Sequence, residues 1–147
     1  MKIAFANDHA ALTMREPLLK YLEKGGHEIL DVGAKTEESV DYPDFAKAAC
    51  RAVQDNKADL AILMCGTGIG ISIAANKMKG IRCALCTDEY AAQMAREHNN
   101  ANALALRGRR IDPERNISII ECFLNTQYEA GRHQRRVDKI TAMESDQ

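Results

Sequence analysis

Residues 2–7 form a short, mostly apolar run, after which Leu12, Leu18, Leu19 and Leu22 recur at helical spacing until Gly25-Gly26 supplies a stop. A strand followed by a helix is the reading. The pattern then predicts a strand over 27–32, a helix over 42–56, and a nearly uninterrupted apolar strand over 60–65 of the kind buried on both faces. Beyond the glycine-rich stretch 66–70 come a helix to about residue 77, a strand over 81–86, a helix over about 88–97 and a strand over 103–106. Two helices, about 113–124 and 132–143, finish the chain. Five strands alternating with helices predict an α/β fold: a three-layer α/β/α, Rossmann-like, doubly wound parallel sheet. The common strand order 2-1-3-4-5 is expected, with the winding reversed between strands 1 and 3 and a ligand crevice at their carboxyl ends. Asp8-His9 leave the first of these strands and Cys65-Gly66-Thr67-Gly68-Ile69-Gly70 leave the other, so both polar clusters fall at one crevice.

Composition narrows the classes. At 147 residues and 16.3 kDa, one domain spanning residues 1–147 is expected. A net charge of −1 offers nothing to hold nucleic acid or an anionic membrane surface, and no apolar run approaches the ~20 residues of a membrane span. The amino terminus meets charge too early for a secretory signal, so the expected address is the cytoplasm. Five cysteines, an odd number, suit a reducing compartment rather than a disulfide framework.

Alternating Gly66, Gly68 and Gly70 allow close backbone approach and leave N–H groups free for an anion. The spacing is G-x-G-x-G and not the G-x-G-x-x-G of a dinucleotide site, and Gly70 is followed by Ile71-Ser72 where a Walker loop has Lys-Ser/Thr. Cys65, at the loop entrance, stands where amide dipoles favour a thiolate, as a base or a nucleophile; it also reads as the last apolar residue of a buried strand. Cys83 and Cys86 form C-x-x-C inside a strand, where residues three apart point to opposite faces, so they make no redox pair. Cys50 and Cys122 lie on amphipathic helix patterns as core residues. The histidines, His9, His27, His98 and His133, show no metal-ligand spacing, and no metal site is expected. His98 ends the helix after the fourth strand, which has returned to the amino end of the sheet; a catalytic His98 therefore serves a neighbouring subunit. Arg132 and Arg136, one turn apart beside His133, suit a phosphate or, equally, a solvated basic helix, and Arg107, Arg109 and Arg110 form a second basic cluster.

These residues resemble a known family. Asp8-His9, Asp41-Tyr42-Pro43-Asp44-Phe45, the run C-G-T-G-I-G-I-S-I-A-A-N-K from Cys65 to Lys77, Glu97-His98-Asn99 and Gly131-Arg132-His133-Gln134 are similar to the type B ribose-5-phosphate isomerases. That family also contains the galactose-6-phosphate isomerase subunits. The likeness runs from Lys2 to about Met143. It implies aldose–ketose isomerisation of ribose 5-phosphate and ribulose 5-phosphate through an enediolate, without metal or organic cofactor. By the same resemblance Cys65 moves a proton between C1 and C2, and the N–H groups of Gly66, Thr67, Gly68, Ile69 and Gly70 stabilise the enediolate. Thr67 relays hydroxyl protons and His98 opens the sugar ring. Asp8 holds a hydroxyl, Tyr42 and Asn99 line the pocket, and His9, Arg109, Arg132 and Arg136 bind phosphate. The resemblance also implies a homodimer with shared sites, leaving a tetramer open. Family members usually carry a glycine and a small residue before the arginine after strand 5, where this chain has Arg107-Gly108, so substrate length is open. Allose 6-phosphate, galactose 6-phosphate, a tetrose phosphate and a free rare sugar are the rivals. A non-catalytic phosphosugar- or nucleotide-binding module is the reading from another class.

Overall fold

The computed structural model describes residues 1–147. Its strands are β1 (Lys2–Asn7), β2 (Glu28–Asp31), β3 (Leu60–Cys65), β4 (Cys83–Leu85) and β5 (Ala103–Arg107). Its helices are α1 (Arg15–Lys24), α2 (Tyr42–Gln54), α3 (Ile69–Ala75), α4 (Glu89–Asn99), α5 (Pro113–Asn125) and α6 (Gly131–Ala142). All strand pairings are parallel.

Side-chain size differs between the two faces of the sheet. Ile3, Phe5, Ile62, Met64, Leu104 and Leu106 pack with Leu18, Leu22, Ala92, Ile119, Ile120 and Phe123 of α1, α4 and α5. On the other face Ala4, Ala6, Ala61, Ala103 and Ala105 meet Ala46, Ala49, Ile71 and Ala75, so small residues bring α2 and α3 close to the strands. The alternation separates Cys83 from Cys86 as expected: the first packs against the α2/α3 face and the second is buried on the opposite one. No helix is long and apolar enough to cross a membrane.

The sheet order is β2-β1-β3-β5-β4, which corrects the expected 2-1-3-4-5 at one edge. The exchange has a physical basis in the strands themselves. Ala103 to Leu106 are fully buried and suit an interior position with a neighbour on each side. β4 has three half-buried residues and one partner, β5. It is also shorter than the predicted 81–86, because Arg82 N–H goes to Asn102 Oδ1 and the Asn76 side chain brackets Cys83, accepting from its N–H and donating to its carbonyl. The reversal of winding between β1 and β3 is unaffected.

A second local difference lies after β1. Residues 9–14 form a 3-10 turn with a kink at Ala11, and the α-helix starts only at Arg15. Asp8 caps the turn by accepting from Ala10 N–H at 2.9 Å. Gly108 packs so closely on Ala11 that a Cβ placed there would lie 2.5 Å from it.

Candidate functional site

At the carboxyl end of β3 the Cys65 carbonyl accepts from Gly108 N–H at 2.8 Å, and the Gly66 carbonyl accepts from Arg109 N–H at 3.2 Å. In a trans peptide the N–H points away from the preceding carbonyl, so these two bonds turn the N–H groups of Gly66 and Thr67 to the other side, into the crevice. Thr67 Oγ1 accepts from Ile69 N–H at 3.2 Å and closes the loop on itself. Gly68 has φ +78°, and a Cβ there would lie 3.0 Å from the Leu106 backbone and 2.6 Å from Leu85. Gly68→Ala is therefore expected to cost about 2–4 kcal/mol, combining a left-handed alanine with overpacking. A urea midpoint unchanged from the parent would contradict this.

Two side chains meet the loop, and two further residues follow the adjacent strand β1 at the same end of the sheet. The Tyr42 ring, at the start of α2, lies against Gly70, where an added Cβ would come within 2.4 Å of it. Arg109 lies over Gly66, its guanidinium 3.5 Å from a Cβ built there. Asp8, 5% exposed, takes its N–H to the Met64 carbonyl, which anchors the end of β1 to β3. His9 Nδ1 accepts from Val40 N–H at 3.1 Å, an arrangement that puts the ring hydrogen on Nε2 and leaves it as a donor. Cys65 packs on the α2/α3 face of the sheet, the face covered by the helix that Tyr42 begins. The structure thus brings Asp8, His9, Tyr42, Cys65, Gly66, Thr67, Gly68, Ile69, Gly70 and Arg109 to one end of the sheet. Beside them is a cavity of ≈ 520 Å³ lined by Thr67, Thr87, Arg107, Arg109 and Arg110.

The cysteines separate by environment. Burial pushes the Cys50 thiol up to about 12. Burial, with Asp88 and Cys122 adding to it, pushes Cys86 up to about 12 as well. Burial beside Cys50 and Cys86 also raises Cys83. None of the three is available as a thiolate near neutral pH.

His98, Asn99, Arg132 and Arg136 lie elsewhere. The carbonyls of Asn99 and Asn100 accept from the guanidinium of Arg82, which immediately precedes β4, so the end of α4 sits at the amino end of the sheet. The 11 residues of α4 span about 16 Å along the helix axis between the two ends. α6 packs on this distal end: the His133 ring stacks on His98 with centroids 4.1 Å apart and planes 14° from parallel. Arg132 and Arg136 are exposed on α6, while His133 and Val137 face inward. The expected site residues of one chain therefore fall into two groups at opposite ends of its sheet.

Sequence reasoning missed several groups here. Asn7, fully buried, donates to the Asp8 and Ala34 carbonyls at 3.0 Å each and accepts from Arg15 at 2.7 Å. Arg15 in turn forms a bidentate pair with Asp31, whose carboxylate also accepts from Gly33 N–H. This network braces the loop on which Asp8 and His9 ride; a polar residue ending a buried strand is the signal that could have found it. Asn116, buried under β5, donates to the Arg107 carbonyl at 2.9 Å. His98, Glu129 and His133 bring potential ligand atoms within 4.8 Å of one another, a grouping invisible in their spacing. Their near-parallel rings direct the nitrogen lone pairs side by side rather than onto one point, which suits mutual positioning rather than chelation.

Comparison with known proteins adds to this geometry. Residues 3–140 match the family model described as Ribose/Galactose Isomerase. The chain is 44% identical over 143 residues to ribose-5-phosphate isomerase B of Escherichia coli, covering 97% of this chain and 96% of that one. It is 43% identical to the probable ribose-5-phosphate isomerase B of Mycoplasma pneumoniae, covering 98% and 95%. Among solved structures, the ribose 5-phosphate isomerase of Thermotoga maritima superposes with a TM-score of 0.93 at 50% identity, covering 96% of this chain and 97% of that one. Ribose-5-phosphate isomerase B of Clostridium thermocellum gives 0.97 at 44%, covering 99% of each.

Proposed function

Because the chain belongs to the ribose/galactose isomerase family, we propose that it is an aldose–ketose isomerase interconverting ribose 5-phosphate and ribulose 5-phosphate, with each site built from two copies of the chain. The observation that carries the chemistry is the placement of Cys65 at a loop whose N–H groups turn into the crevice holding Asp8, His9, Tyr42 and Arg109. The observation that carries the assembly is the distance of His98 and the α6 arginines from that crevice in their own chain.

In this reading His98 of the second copy gives a proton to the ring oxygen as the bond from that oxygen to C1 breaks and the O1 proton passes to water, generating the open aldehyde. The Cys65 thiolate then takes the proton from C2, and the electron pair moves to O1 as the enediolate. The Gly66 and Thr67 N–H groups lie where that negative charge develops, and preorganised donors of this kind are commonly the largest catalytic contribution. Thr67 passes a proton between the two hydroxyl oxygens. Return of the proton from Cys65 to C1 completes the ketose. Asp8 holds a sugar hydroxyl, Tyr42 and the second copy's Asn99 enclose the chain, and His9, Arg109, Arg132 and Arg136 take the phosphate.

The direct test is conversion of ribose 5-phosphate to its ketose in chelator-treated buffer. Allose 6-phosphate is the rival substrate, because Arg107 and Arg110 line the wall beside Arg109. Turnover of the pentose carries the reading; turnover of the hexose alone keeps the mechanism and moves the substrate. No turnover of either favours a binding module. Arg136→Ala is expected to raise KM for the phosphorylated sugar about 10- to 100-fold while sparing kcat, since a charge-assisted contact to phosphate is present in both ground and transition states. An equal effect on an unphosphorylated sugar would remove Arg136 from the phosphate site.

A further inference from the structure

His133 is a buried, titratable side chain that the reaction described above leaves without a role. It is 5% exposed, lies at the first turn of α6, and stacks on His98 at 4.1 Å. Its Nε2 is 3.4 Å from Glu129 Oε2, and Glu129 is itself tied to α4 by its N–H to the Glu97 carbonyl at 3.1 Å. The chain bends sharply to make this possible. Ala130 has φ +54° and ψ −115°, a conformation that costs a non-glycine residue about 1–3 kcal/mol. His133 N–H closes the bend on the Ala130 carbonyl at 2.9 Å. The bend therefore places a carboxylate at the edge of one imidazole and that imidazole flat on the other.

Nothing else in the chain restrains His98 so directly. It sits in the last turn of α4, where the backbone leaves the helix through a left-handed Asn100. Without a neighbour its two torsions are free to carry the ring nitrogens away from a substrate. The stacked ring of His133 confines the His98 plane, and Glu129 confines His133.

We infer that His133, oriented by Glu129, is a positioning residue that holds the ring plane of His98 for its proton transfer in the neighbouring copy's site. The inference rests on the assignment of His98 to ring opening made above. It also gives the inward face of α6 a purpose separate from that of Arg132 and Arg136, which are exposed on the same helix.

The test is a double-mutant cycle on ribose 5-phosphate turnover. His133→Ala is expected to lower kcat by up to about 10²-fold with KM little changed, the effect of a misplaced catalytic group. His133→Phe keeps a stacking ring and is expected to recover most of that loss. In a His98→Asn background, His133→Ala is expected to cost no more than about twofold, since the group it positions is already gone. A second readout needs no turnover: the ring-proton resonances of His98 shift in His133→Ala and return toward the parent in His133→Phe. A full additional loss in the His98→Asn background, or His98 resonances unmoved by His133→Ala, overturns the inference and leaves His133 as packing only. Absence of turnover by the parent enzyme would instead overturn the isomerase reading itself.

Discussion

Cys65→Ala is expected to lower kcat for ribose 5-phosphate by about 10²- to 10⁴-fold, the range contributed by a positioned proton acceptor, while KM for the sugar phosphate stays near its parent value. The expectation follows from where the thiol sits. Cys65 ends a strand buried on both faces and directly precedes the loop whose peptides turn their N–H groups into the crevice. In the proposed mechanism its loss removes the base and leaves the oxyanion donors in place. The other cysteines do not substitute: Cys50, Cys83 and Cys86 are held as thiols by burial, and the Cys122 thiol on α5 donates to the Glu89 carbonyl at 3.3 Å, away from the crevice. A small side chain at this position keeps the fold, so the thermal midpoint should move by a few degrees at most, and the loss in rate is not a loss of protein. Retention of activity within about tenfold would mean that another group abstracts the C2 proton, since such a residue is too weak a contributor for general-base catalysis. Exchange of the C2 hydrogen with solvent, followed alongside turnover, should fall in parallel.

What the chain discloses by itself is local. The apolar run into Cys65, the three alternating glycines and the opposite faces of Cys83 and Cys86 are all visible in short stretches, because they depend on a strand's two-residue period and on glycine's conformational freedom. The order of β4 and β5 is not local. Either order uses the same alternation of strands and helices, and the choice turns on which strand can be buried on both sides. Ala103-Leu104-Ala105-Leu106, apolar throughout, carries that signal, against the Arg82-Cys83 beginning of β4. The 3-10 turn at His9 was hidden for a related reason: its leucine spacing is helical, but the Asp8 cap and the contact of Gly108 with Ala11, 97 positions later, override it. The site followed the same division. The crevice half was readable because Asp8 and Cys65 end adjacent strands. The pairing of His98 with His133, 35 positions apart on helices that meet only in three dimensions, was not, nor was the bracing of Asn7 by Arg15 and Asp31.

The separation of His98 from the Cys65 crevice within one chain gives the second large expectation. Cys65→Ala alone and His98→Asn alone should each be nearly inactive, yet mixing equal amounts of the two after dissociation and reassembly should restore about a quarter of the parent activity if two chains pair at random. The count follows from the geometry. Half of the dimers in such a mixture are mixed, and in each mixed dimer one site joins the intact Cys65 of one chain to the intact His98 of the other. Its second site carries both lesions and is dead. A site assembled within a single chain would have both lesions fixed in separate molecules, and mixing would restore nothing. The structure makes the single-chain alternative hard to build, since α4 spans about 16 Å from one end of the sheet to the other and its hydrogen bonds to Arg82 hold His98 at the far end. Adding Arg136→Ala to the His98→Asn chain and repeating the mixing with Cys65→Ala assigns the arginine. The phosphate affinity of the restored site should match the parent if Arg136 comes from the same chain as His98, because the one working site then receives both from the Cys65→Ala partner. If Arg136 instead acts on its own chain's Cys65, the restored site should keep the raised KM.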